Sequence, residues 1–210
     1  MRVHRAFAAA KGDPAFNPEP LTTEDVEAWR ARVREEALQT IAMIPELKAK
    51  SDAIVSFITG CPAPKKHSLR TRHHGDYHLG QVLVSNNDFL IIDFEGEPSR
   101  PLAEARRKHS PLRDVAGMLR SFSYARGSVE IRGPVPALRE WEKQTREAFV
   151  KAYAEATAGS GLYESFDDVR GLLRLAEMEK VLYELRYEKN NRPDWLHIPL
   201  QGLTALLEGG

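Results

Sequence analysis

The stretch Arg72-His-His-Gly-Asp-Tyr-His-Leu-Gly-Gln81, followed a short way on by Ile91-Ile-Asp-Phe-Glu95, decides how this chain is read. Asp76 and Asp93 each bring a carboxylate, and Gln81 brings an amide oxygen. Hard oxygen groups of this kind are what Mg²⁺ bound to phosphates requires. Between Gln81 and Asp93, residues 82–85 and 89–92 are short β-rich runs around Asn86-Asn87-Asp88, a turn-forming trio. The pattern predicts a hairpin that carries Asp93 back beside Gln81. At the end of an apolar run, an unpaired structural carboxylate at Asp93 would be expensive to bury.

The spacing resembles that of protein kinases, where His-Arg-Asp is followed after four residues by Asn, and Asp-Phe-Gly comes after a hairpin. Here His74-Gly75-Asp76 keeps the Asp, and Gln81 stands where the Asn would be. Gly in place of that Arg resembles the aminoglycoside-phosphotransferase-like kinases. Four blocks in order, at residues 74–83, 93–98, 110–122 and 191–195, resemble maltokinases. This resemblance implies an ATP- and Mg²⁺-dependent transfer to the anomeric hydroxyl of maltose, with trehalose synthase as a partner or fusion. It also implies a mainly α fold with a small β-hairpin, the C-terminal lobe of a protein-kinase-like fold with the N-lobe absent.

That absence has support in the residues. No Gly-x-Gly-x-x-Gly occurs, and no strand before Asp76 offers the Val-Ala-x-Lys pattern that pairs with ATP phosphates. Residues 1–20 read as a truncated helix, with His4, Phe7 and Ala8 at helical spacing, and a Pro-rich connector. Residues 21–210 read as the lobe itself, with its catalytic loop at 72–95. By resemblance the chain starts just after the hinge and binds ATP poorly alone.

Around the loop the text is helical. Thr22 or Thr23 caps a helix whose buried stripe is Val26, Trp29, Val33, Ala37, Ile41 and Ile44. Leu47, Ile54, Phe57 and Ile58 suggest another helix, ended near Gly60. Residues 68–72 lead into the loop as a short strand. Ser110-Pro111 opens a helix with Leu112, Val115, Leu119 and Phe122 on one face. Residues 136–158 and 165–188 are two long amphipathic helices, and residues 199–207 close the chain.

The 210 residues carry 30 basic and 30 acidic side chains, so no general basic footprint for nucleic acid exists. The single Cys61 excludes an internal disulfide. No window reaches the roughly 18 unbroken apolar residues of a membrane span, and the expected location is the cytoplasm, where ATP is available.

Each candidate has a plain structural alternative. Asp76 is read as the group that accepts the acceptor's hydroxyl proton; a turn Asp beside Gly75 is the alternative. Asp93 and Gln81 are read as metal ligands, although Gln81 can equally satisfy loop backbone. His74 braces the loop. His78 contacts the acceptor or is structural. Glu95 holds a second metal through water or pairs with Arg113. Asp114 favours a helix dipole or anchors the catalytic loop.

Near the other end, Tyr183, Glu184, Tyr187, Glu188, Asn191, Arg192 and Trp195 gather rings and carboxylates of the kind that bind sugars, or else pack a helix end. The resemblance singles out Glu184, Tyr187 and Trp195 for sugar contact. Lys65, Lys66, Arg70 and Arg72 are a solvated loop or a phosphate aid. Within the kinases, a related enzyme acting on another sugar or amino alcohol stays open, and so do two other function classes: a docking module on trehalose synthase without catalysis, and a metal hydrolase built on His73, His74, Asp76 and His78.

Overall fold

The computed structural model describes residues 2–94, 96 and 106–209. It is mostly helical, with two small antiparallel sheets. Helix α1 (Arg2–Ala9) is followed by β1 (Glu19–Pro20), α2 (Thr23–Met43), α3 (Ser51–Gly60) and β2 (Leu69–Arg70). The hairpin β3 (Val82–Ser85) and β4 (Asp88–Ile91) comes next, then α4 (Leu112–Glu130), α5 (Pro136–Thr157), α6 (Arg170–Asn191) and α7 (His197–Glu208).

Helix α6 is the axis of the core, packed against α2, α4 and α7. Leu172, Leu175, Met178, Val181, Leu182 and Leu185 recur at intervals of one or three residues and are fully buried. Burying a side chain of this size contributes roughly 1.5–3 kcal/mol, so this stripe outweighs any single polar contact in holding the helix. The stripe expected on α2 is buried as well, from Val26 to Ile44. Its Trp29 indole N–H also donates to Glu179 Oε2 at 2.9 Å, which ties α2 to α6.

Of the two possible caps, Thr22 is the one used. Its hydroxyl accepts from the Asp25 backbone N–H at 3.1 Å, and Asp25 accepts from the Thr22 N–H at 2.9 Å, a reciprocal capping box.

The Pro-rich segment is more than a connector. Glu19 and Pro20 pair antiparallel with Arg70 and Leu69, and Arg70 adds ion pairs to Glu19 at 3.0 Å and Asp25 at 2.7 Å. Lys66 pairs with Glu164 at 2.6 Å, and the Arg72 guanidinium lies 5.8 Å from the Phe16 ring centre. Three of the four cations in that cluster therefore hold local structure.

The hairpin turn is shorter than the expected trio. Asn86 and Asn87 alone form it, at φ 49° and 60°, while Asp88 already pairs with Ser85. Positive φ at both central residues matches the twist of the strands, and Asn tolerates it. No described helix is long and apolar enough to cross a membrane.

Candidate active site

The floor of the site is Asp114, in the first turn of α4 and 2% exposed. Its Oδ2 accepts the His74 backbone N–H at 2.7 Å, and its Oδ1 accepts that of Gly75 at 2.9 Å. The His4 ring on α1 meets the same carboxylate at 2.9 Å and the Tyr153 hydroxyl at 3.1 Å. Burial pushes this carboxyl's pKa up, but the His4 contact, the nearby His73 and the Gly75 N–H together hold it far below the usual range. Of the two readings of Asp114, the geometry is that of a loop anchor.

Gly75 bends the loop at φ 88°, a backbone that favours glycine. One turn along α4 from Asp114, Gly117 lets the loop settle on the helix: a Cβ there would lie 2.6 Å from the Tyr77 carbonyl oxygen.

His74 joins the two halves of the motif. Its Nδ1 accepts the Asp76 backbone N–H at 3.3 Å, and its Nε2 donates to the Ile92 carbonyl at 2.8 Å. The residues flanking Ile92 complete the arrangement. The Gln81 amide donates to Asp93 Oδ2 at 2.8 Å, and the Ile92 N–H donates to the Gln81 carbonyl at 3.0 Å. Asp93 sits at φ 63°, a left-handed conformation that costs of order 1–3 kcal/mol outside glycine and gathers at functional sites.

Asp93 is exposed, as are Phe89, Leu90 and Ile92 before it. The expectation that burial makes this carboxylate expensive is therefore corrected, because the strands face outward. Backbone strain, rather than desolvation, marks the residue.

The Asp76 carboxylate lies 3.6 Å from Lys180 Nζ on α6 and 3.7 Å from His78 Nε2. Burial raises its pKa, but the His78 imidazole and the Lys180 ammonium outweigh burial and hold it below the usual range. An ionised carboxylate with one cation beside it suits a group that accepts or orients a hydroxyl proton.

From Asp76 a cleft of about 620 Å³ runs along α4 and α6, lined by His78, Gly117, Ser121, Tyr124, Lys180, Tyr183, Glu184, Tyr187, Glu188 and Arg192. His78, Glu184 and Tyr187 thus share one cavity with Asp76. Trp195 does not line it; its ring stacks beside Tyr124 at 6.4 Å and under the Arg192 guanidinium at 4.8 Å. Its ring thus stands against Tyr124 and Arg192, which do line the cleft.

The carboxylates of the cleft are held by named partners. Arg120 Nε donates to Glu184 Oε2 at 2.9 Å, and Tyr124 and Arg192 donate to Glu188 at 2.9 Å and 2.6 Å. Burial still raises the Glu184 pKa, against the pull of Arg120. Arg113 pairs with Glu179 at 2.8 Å; Glu95, its alternative partner, lies outside the described residues.

Lys180, Tyr124, Ser121 and Gly117 were not singled out from the sequence. The signal available was periodicity. Lys180, Glu184 and Glu188 repeat every four residues on α6, and Gly117, Ser121 and Tyr124 follow a four-then-three spacing on α4, each set on one helical face.

Gln81 and Asp93 fit a Mg²⁺ ion in donor chemistry: one carboxylate and one amide oxygen, the small protein share such an ion takes when phosphates supply the rest. The four-residue His/Asp set of the hydrolase reading does not form one ligand shell. His74 is bonded to backbone on both ring nitrogens, and His73 faces the His109 ring at 6.2 Å. Among the described residues no group of three or more His, Cys, Asp or Glu is placed to hold a metal.

No protein-family model matches the chain. The proteins it resembles in sequence and in structure are sugar kinases. It is 31% identical to a glucosamine kinase of Streptacidiphilus jiangxiensis, over 98% of this chain and 47% of that protein. To a glucosamine kinase of Mycolicibacterium smegmatis (strain ATCC 700084 / mc(2)155) it is 32% identical, over 96% and 51%.

A crystal structure of glucosamine kinase in form A superposes with a TM-score of 0.83 at 27% identity, over 99% of this chain and 51% of that one. A glucosamine kinase in complex with glucosamine, ADP and inorganic phosphate gives 0.82 at 29%, over 98% and 49%. The chain thus spans about half the length of the relatives it matches.

These likenesses overturn the maltokinase reading. Four short blocks do not separate kinases of different acceptors, and the relatives found bear the name glucosamine kinase. The maltose acceptor and the trehalose synthase partner rested on that resemblance and lose their support with it.

Proposed function

We propose that the chain is the acceptor- and metal-binding lobe, of the kinase C-lobe type, of an ATP-dependent sugar kinase whose acceptor is glucosamine or a close amino sugar. The observation that carries the reading is Asp76 in the wall of a sugar-sized cleft, tied through His74 to the strand end where Gln81 meets Asp93. Asp76 orients the acceptor hydroxyl and takes its proton. Gln81 and Asp93 hold Mg²⁺, which when bound offsets the charge of the nucleotide phosphates. Farther along the cleft, Glu184 and Glu188, although each is paired with an arginine, line the cavity with carboxylate oxygens that accept from amino and hydroxyl groups, and Tyr183 and Tyr187 offer ring faces for a sugar.

Calorimetric titration of the chain tests the acceptor. Glucosamine should bind more tightly than glucose by about tenfold or more, the size of one hydrogen bond to a charged group. Equal affinity for the two would sink the amino-sugar assignment. Supplying the remaining half of a glucosamine kinase relative should then yield transfer that Asp76→Asn lowers by about 10²–10⁴-fold. Transfer undiminished by that substitution would remove Asp76 from its role.

A further inference from the structure

We propose that Lys180 is a catalytic residue that touches the transferred phosphoryl group beside Asp76, an assignment that rests on reading the cleft as the acceptor site. Lys180 reaches the site from α6, far in sequence from the loop that carries Asp76, and its ammonium stands 3.6 Å from that carboxylate on the wall of the same cleft. The oxygen to be phosphorylated sits within about 2.7 Å of Asp76, by ordinary hydrogen-bond geometry. Whatever forms on that oxygen is therefore within reach of Lys180.

The other cations nearby have different work. Arg192 is bonded to Glu188 at 2.6 Å, and Arg120 to Glu184 at 2.9 Å, so both belong to the carboxylate end of the cleft. Lys180 also acts on the Glu184 carboxylate one turn along α6, and at the Asp76 end it supplies positive charge, with His78 adding to it when protonated. The lysine also springs from a rigid base. Met178, Val181 and Leu182 around it are fully buried, and its ammonium lies 4.8 Å from the Tyr183 ring centre. A fixed charge of this kind stabilises developing charge without reorganising during reaction.

In the step itself, the acceptor hydroxyl passes its proton to Asp76 while its oxygen bonds to the γ-phosphorus of a nucleoside triphosphate. The bond from that phosphorus to the bridging oxygen breaks, and its electron pair leaves on the nucleoside diphosphate. Negative charge on the three equatorial oxygens of the moving group is what Lys180 meets.

The test is calorimetric titration of the full 210-residue chain with glucosamine, glucosamine 6-phosphate and glucosamine 1-phosphate. Lys180→Met should weaken the tighter phosphate ester by about tenfold or more beyond whatever it does to glucosamine, the size of one charge-assisted hydrogen bond. Lys180→Arg should keep most of the ester's affinity. Equal weakening of sugar and ester, an ester unaffected by Lys180→Met, or glucosamine binding with neither ester bound would overturn the assignment. If the chain binds no glucosamine at all, the acceptor reading falls and this inference with it. Should Lys180→Met fail to fold, Lys180→Gln carries the same comparison.

Discussion

Two aspartates of the site, Asp114 and Asp93, show how differently one side chain can be used. Asp114 is buried under the loop, and its oxygens are engaged by two backbone N–H groups and the His4 ring. Asp93 is exposed at the end of a hairpin, held in a left-handed backbone, with the Gln81 amide as its hydrogen-bond donor. The first fixes the loop's shape and is stabilising. The second is strained and open to solvent, so packing does not account for it. The same contrast divides the molecule, since the α4 and α6 faces bury their aliphatic side chains while the hairpin leaves Leu83, Val84, Phe89 and Leu90 largely exposed.

The contrast breaks or sharpens under three measurements. The largest effect belongs to Asp114→Ala, which leaves two loop amides and His4 without their acceptor. Breaking a buried charged partner costs about 3–5 kcal/mol, to be read from urea unfolding at neutral pH. A loss below about 1 kcal/mol would mean that the loop needs no such floor.

An intermediate effect is expected from pH. The Asp114 carboxyl is held below its unfolded value, so its contribution is complete above about pH 4 and is lost as the pH falls through the folded value. The stability gap between the wild-type chain and Asp114→Asn should therefore stay constant from neutral pH to about pH 4 and narrow below it. A gap that widens on acidification would reverse the assignment.

The smallest effect is Asp93→Gly. Glycine relieves the left-handed backbone but adds unfolded-state freedom, so stability should move by less than about 1 kcal/mol. Mg²⁺ binding, followed by titration in the presence of ATP, should be lost. Large destabilisation would give Asp93 a structural role like that of Asp114.

Much of this architecture was legible in the text. Helix positions followed from apolar spacing, since residues three and four apart share a face, and the stripe from Val26 to Ile44 is buried as its spacing implied. Turn chemistry announced the hairpin, although the exact turn, Asn86-Asn87, depended on pairing across the strands. The maltokinase reading went astray because its short blocks do not separate kinases of different acceptors, and most residues that line the cleft, Tyr124 and Lys180 among them, lie outside those blocks.

By itself, the sequence determined the local parts: which segments coil, where the chain turns, and which oxygens flank the hairpin. These depend on neighbours within a few residues, and periodicity records them. Only the tertiary structure decided that Lys180 faces Asp76, that Asp114 holds the loop, that Arg120 and Arg192 hold the carboxylates of the cleft, and that Trp195 stands behind its wall. Such contacts join residues tens of positions apart. They exist because packing of the buried faces of α4 and α6 sets the distance between helices, a quantity that no stretch of sequence states.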